Sequence, residues 1–269
     1  MAMLLCCGED GLLEYQQSWR TLSCPLPCPS LIAGSASHRA ILDNTEHLLW
    51  LNDRLLPVAS GIECLLIWRD HPLLLSGDTN ALTLLDPVSG TPMFLAPGGV
   101  YPQDMCLLPG NAAAVCGGDI GKILLLQLPD LQLIRHIPVP GSARRLARLG
   151  RWLYILCATE DDASPTLLCR ADLRSDRYEP LRTLPGLPGA LYADDTGIWA
   201  AVSDKLYHFV PQTRTFTERC RSLGLVQHIT GMNHCHLLSD TLLGALFLLE
   251  PHKSPRLLKE GDAGQAIFI

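Results

Sequence analysis

Two carboxylates, a guanidinium and an imidazole are enough to build acid–base chemistry or to hold a divalent ion, and Glu63, Asp104, Arg144 and His228 offer that set. Each sits near the start of an apolar run that reads as a strand, as do Arg145, Gln227 and Gln265. If those strands converge, Glu63, Asp104, Arg144, Arg145, Gln227, His228 and Gln265 make one polar ligand-binding site. In the catalytic version Glu63, Asp104, Arg144 and His228 carry the chemistry. Glu63, Asp104 and Arg144 begin three successive runs of this kind. Two converging acids repel, so Arg144 is expected to pair with Asp104 and keep both ionised. The plainer alternative is a hydrated lining, where polar residues stand only because water does.

Other constellations are weaker. In His234-Cys235-His236 a strand would put the two imidazoles on one face and the thiol on the other, so no three ligands converge. Cys24 and Cys28 lack a partner pair and a nearby His, which disfavours zinc. No metal or cofactor is evident. There is no G-x-S-x-G, Walker loop or HExxH, and the glycine-rich stretch 117–121 opens a strand rather than a helix, which does not suit phosphate. Arg144, Arg145, Arg148 and Arg151 cluster as a solvated edge or an anion site. Asp10, Asp43, Asp78, Asp119, Asp161, Asp204 and Asp240 recur in one kind of turn. Asp favours turns because its carboxylate bonds backbone N–H groups nearby. A cationic partner is the functional version of the same observation.

The elements that must position these residues are legible from punctuation. Residues 103–141 hold four short apolar runs, ended in turn by Pro109-Gly110, by glycines at 117–121, by Pro129-Asp130 and by Pro140-Gly141. The same unit recurs, with starts near residues 31, 62, 103, 143, 190, 226 and 265. The first unit, before residue 31, has three strands; one lone strand, Gln265–Ile269, remains at the end. An unpaired apolar edge is a liability, so the last strand should complete the first unit and close a ring. The expected fold is all-β: a single seven-bladed β-propeller of four-stranded blades, one domain over residues 1–269. Ser142–Leu149 could instead be a short helix, but Gly141 and Gly150 bound it too tightly.

Ala114-Val115-Cys116-Gly117-Gly118-Asp119, Lys122-Ile123-Leu124-Leu125-Leu126 and Leu133 to Gly141 resemble the YVTN-type repeat of YncE-like propellers. Leu73 to Asp78 with Leu84 to Gly90 is a second copy. The Tyr-Val start of the motif is mostly absent. The resemblance implies architecture and no activity.

Composition bounds the function. Hydrophobic residues make up 48% and charged residues 18%, which excludes a disordered chain. Net charge is −6, so no global basic surface invites nucleic acid or an anionic membrane. Residues 1–130 carry 5 basic against 13 acidic side chains, residues 131–269 carry 16 against 14. The 11 cysteines, an odd number in a large chain, fit a reducing compartment. The chain shows no targeting segment and reads as a cytoplasmic monomer. The leading function is a non-enzymatic scaffold that binds a protein or small molecule on the face where the innermost strands begin. The rivals are a lactonase- or lyase-like propeller enzyme and single-stranded nucleic-acid binding through the arginine cluster and Trp152.

Overall fold

The structure is a computed structural model and describes residues 3–6, 8–34, 39–117, 121–158, 165–175, 177–261 and 263–269. Short apolar runs pair antiparallel into seven four-stranded sheets. From the inside outward, blade 2 is Leu31–Gly34, Arg39–Asp43, Leu48–Leu51 and Arg54–Pro57, and blade 3 is Ile62–Trp68, His71–Ser76, Ala81–Leu85 and Pro92–Pro97. Blade 4 is Pro102–Leu108, Ala112–Gly117, Lys122–Gln127 and Leu133–Pro138. Blade 5 is Ser142–Leu149, Trp152–Ala158, Thr166–Asp172 and Tyr178–Leu184. Blade 6 is Pro188–Asp194, Gly197–Val202, Lys205–Val210 and Thr215–Cys220, and blade 7 is Val226–Met232, Cys235–Asp240, Ala245–Leu249 and Arg256–Glu260. The first strands of successive blades touch one another in a ring. The fold is a seven-bladed β-propeller, and Ser142–Leu149 is a strand.

Blade 1 is completed from the other end of the chain. Ala266–Phe268 pairs with Met3–Cys6, with Met3 opposite Phe268, and Leu12–Tyr15 and Trp19–Leu22 follow outward. Gln265 locks the junction: its backbone bonds Cys6 and Ser30, and its side-chain Oε1 accepts the Ile32 amide at 3.1 Å.

Seven apolar clusters fill the seven gaps between blades. One joins Ala114, Ile123 and Ile137 of blade 4 to Leu153, Ile155 and Cys169 of blade 5. Another joins Leu4 and Leu12 of blade 1 to Ile32 and Ile41 of blade 2. A sheet packed on both faces needs no alternation, and Ala112–Gly117 is buried along its whole length. Two-residue turns between residues of positive φ close several hairpins, among them Asn52-Asp53 and Asn233-His234. His234 therefore lies in a turn, and the strand expected to start there begins at Cys235. No two of the ten described cysteines are joined by a disulfide; four are buried and six half-buried. No helix among the described residues is long and apolar enough to cross a membrane.

Five of the seven innermost strands share an irregularity at the end where they begin. Pairing with the second strand slips between Ile62 and Cys64, Pro102 and Asp104, Ala143 and Arg145, Pro188 and Leu191, and Val226 and His228. These are β-bulges, which re-aim the side chains that follow them. Glu63, Gln103, Arg144 and Gln227 are the bulged residues; Cys64, Asp104, Arg145 and His228 come next.

Candidate ligand site at the channel mouth

A cavity of about 410 Å³ opens where the inner strands begin. Glu63, Asp104, Arg145, Gln227, His228 and Gln265 all line it. Six of the seven residues expected at the site thus come together. Arg144 is the exception: it is not part of the wall, and its carbonyl accepts a bond from Arg145 Nη1 at 2.9 Å. The bulges set which arginine stands level with Asp104. Counting from the start of each run puts Glu63, Asp104 and Arg144 in register, but the extra residue in each strand makes Glu63 equivalent to Gln103 and Arg144, and Asp104 equivalent to Arg145. The cation of the cluster is therefore Arg145, and the expected Arg144–Asp104 pair does not form.

Arg145 crosses from blade 5 to blade 7, where Nη2 donates to Gln227 Oε1. Blade 6 leaves the way open because the small residues Gly189 and Ala190 follow Pro188 at the start of its inner strand. Glycine is required at 189, since a Cβ there would stand 2.5 Å from the Val226 carbonyl oxygen. Arg145 forms no ion pair among the described residues, but its charge acts on every titratable neighbour. Burial pushes the Asp104 carboxyl up; Arg145 and the amides of Leu146 and Met105, bonded at 2.8 and 2.9 Å, pull it back. Burial also raises Glu63, opposed by Arg145 and reinforced by Asp78. His228 is pushed down to about 4 by burial first and by Arg145 second, so the imidazole is neutral at pH 7. Burial raises the Cys64 thiol far above its ordinary value, and the Asp104 charge adds to this. Cys64 and Gln103 belong to the wall and were not singled out in the sequence; aligning the inner strands by their bulges would have found both.

Two of the recurrent turn acids hold backbone together. Asp43 is wholly buried, and its carboxylate accepts the amides of Cys28, Thr45 and Glu46 at 2.7 to 3.0 Å. Asp240, also wholly buried, accepts those of Gly224, Leu225 and Leu243. Each ties the segment leading into its blade's inner strand to the turn. Asp119 and Asp161 lie outside the described residues. The arginine cluster is dispersed: Arg145 enters the channel, Arg148 bonds the Gly150 carbonyl, and Arg151 faces Asp172 at 3.7 Å. Arg151 and Arg170 both stand over the Trp152 ring, at 4.8 and 4.0 Å, so this indole is already engaged.

No family profile matches the sequence, and no curated protein does. Solved structures match throughout. A protein from Lactobacillus plantarum superposes with a TM-score of 0.78 at 11% identity, covering 100% of this chain and 99% of its own. A Bacteroides uniformis protein, provisionally assigned as a 6-phosphogluconolactonase, gives 0.74 at 12%, covering 100% and 99%. A catalytically inactive virginiamycin B lyase from Staphylococcus aureus, determined with quinupristin, gives 0.67 at 14%, covering 85% and 83%. At such identities the likeness establishes the propeller fold and nothing finer.

Proposed function

We propose that the chain is a binding propeller whose channel mouth takes a small polar ligand bearing a carboxylate or carbonyl oxygen. One observation carries this reading: Arg145 stands in the channel with no ion pair among the described residues and hydrogen-bonds only Gln227 and the Arg144 carbonyl. A guanidinium has five N–H donors in a planar fork suited to such oxygens. Glu63, raised by burial, can donate an O–H to the same ligand when protonated. The YncE-like resemblance, a cytoplasmic location and a non-enzymatic role belong to this proposal.

The catalytic reading rests on His228, neutral and placed beside Arg145 as a base would be. A base near 4 is weaker than an ordinary histidine by roughly a few hundredfold, which places catalysis second. Thermal-shift titration with mono- and dicarboxylic acids tests the first reading. The expected outcome is a saturable shift that Arg145→Met abolishes and Arg144→Met preserves. Equal loss in both variants, or none in either, sinks it. Turnover of a lactone that is lost in His228→Gln would instead reverse the order of the two readings.

A further inference from the structure

A second cavity, of about 340 Å³, lies between blades 6 and 7 on the face opposite the channel mouth. It is framed by the turns that end the two inner strands and by the Glu250–His252 turn. Trp199, Leu249 and Pro251 give it apolar walls.

Asp194 organises one side. Its Oδ1 accepts the amides of Thr196 and Gly197 at 2.8 and 3.1 Å and the Thr196 hydroxyl at 2.6 Å. Its Oδ2 accepts Trp199 Nε1 at 3.2 Å and meets His236 Nε2 at 2.7 Å. Burial alone would raise this carboxyl; the bonds from His236 and Thr196 outweigh it and hold Asp194 well below the usual range. Asp194 is thus an anion and an acceptor, so His236 Nε2 is the donor. In the uncharged tautomer that makes this bond, Nδ1 carries a lone pair. His236 is 1% exposed, and its Nδ1 has no hydrogen-bond partner among the described residues. The Cδ2 edge of the ring faces Gly231, standing 2.9 Å from the place a Cβ would take there. Nδ1 is on the other edge of the ring, and His236 is among the residues that line the cavity.

The indole of Trp199 is fixed by its bond to Asp194, by stacking on His208 at 4.2 Å and by His236 at 4.3 Å. Arg219 stands over the same indole at 5.7 Å and forms no ion pair among the described residues. A lining indole held between two imidazoles, a guanidinium without a carboxylate and a buried ring nitrogen without a partner therefore meet in one pocket, among the described residues. We propose that this cavity is a second ligand site, for a small planar aromatic acid whose carboxylate meets Arg219 and whose hydroxyl supplies the donor that His236 Nδ1 lacks. The volume lies at the small end of the ligand-pocket range. An unsatisfied buried acceptor is costly, so a ligand that completes it gains beyond its apolar contact. The pre-set walls lower the ordering cost of binding. This site shares no residue with the channel mouth and does not depend on the reading given to it.

The test is calorimetric titration of the full chain with 4-hydroxybenzoate, benzoate and phenol. We expect 4-hydroxybenzoate to bind about tenfold more tightly than either analogue, each of which lacks one of the two polar contacts. Arg219→Gln should erase the preference over phenol, and Arg145→Met should leave every affinity unchanged. His236→Phe strips Asp194 of a buried partner and can unfold blade 7. The Nδ1 contact is therefore read in the unaltered protein from the 15N shift of His236, which should move on binding 4-hydroxybenzoate and stay with benzoate. Absence of saturable binding, equal affinity for all three probes, or an unmoved Nδ1 overturns the proposal.

Discussion

Arg145 is one side chain with consequences for three others at the mouth. It opposes the burial-driven rise of Asp104 and Glu63, and it deepens the fall of His228. Because His228 titrates near 4 when folded and near 6.5 when unfolded, the unfolded chain takes up a proton that the folded chain refuses. The sign follows: the stability difference is absent above about pH 6.5, grows as pH falls, and levels off below about 4. Replacing His228 by Gln should remove this loss. Between pH 7 and pH 4 the wild type should lose about 2 kcal/mol more than the variant in urea unfolding, a figure discounted for water reaching the ring through the channel. Identical pH profiles would show that the imidazole titrates normally. Arg145→Met removes the second cause, so the His228 value read by NMR should rise in that variant. The residue types of this cluster were legible in the sequence, and six of the seven line one cavity. Which arginine stands level with Asp104 was not legible, because a one-residue slip in pairing leaves no mark in a run such as Ser142-Ala143-Arg144-Arg145.

At the level of the element, bulges and buried turn acids act together at the mouth. The bulge gives an inner strand one residue beyond its partner, and the turn acid ties down the segment that feeds it. Asp240 holds three backbone amides with one buried carboxylate. Asp240→Ala leaves those donors without acceptors, and we expect a loss of about 3 kcal/mol by urea unfolding. Asp240→Asn keeps one oxygen acceptor and should lose roughly half as much. A loss below about 0.5 kcal/mol for the alanine variant would mean that water replaces the carboxylate. The periodicity of the strands was readable because Gly, Pro, Asn and Asp mark their turns. The role of the turn acids was readable as a preference of Asp for turns, but which amides each one holds depends on distant chain segments, as Asp43 does with Cys28.

For the molecule as a whole, each blade is stable only between two neighbours, since every apolar cluster spans a gap between sheets. Removing residues 265–269 strips the inner strand from blade 1 and the Gln265 bonds to Cys6, Ser30 and Ile32. We expect a loss of several kcal/mol, on the scale of a domain's entire stability, or insoluble protein. A melting temperature within about two degrees of the full chain would show that the ring does not need this strand. The closure was legible from arithmetic alone, three strands at one end and one left over at the other.

That closure also sets how the molecule answers a mechanical pull. Met3 and Phe268 face each other across an antiparallel pair, and the register runs inward from there through Leu4 with Ile267 and Leu5 with Ala266. Tension applied at Met3 and Phe268 therefore peels the rungs apart one after another, like a zipper drawn from its open end. Tension applied within a blade, from Trp152 to Ala158 against its neighbour, would have to shear a full row of rungs at once. In a force spectrometer the ring should open first at this seam, at low force, with the other six blades following as their neighbours are lost.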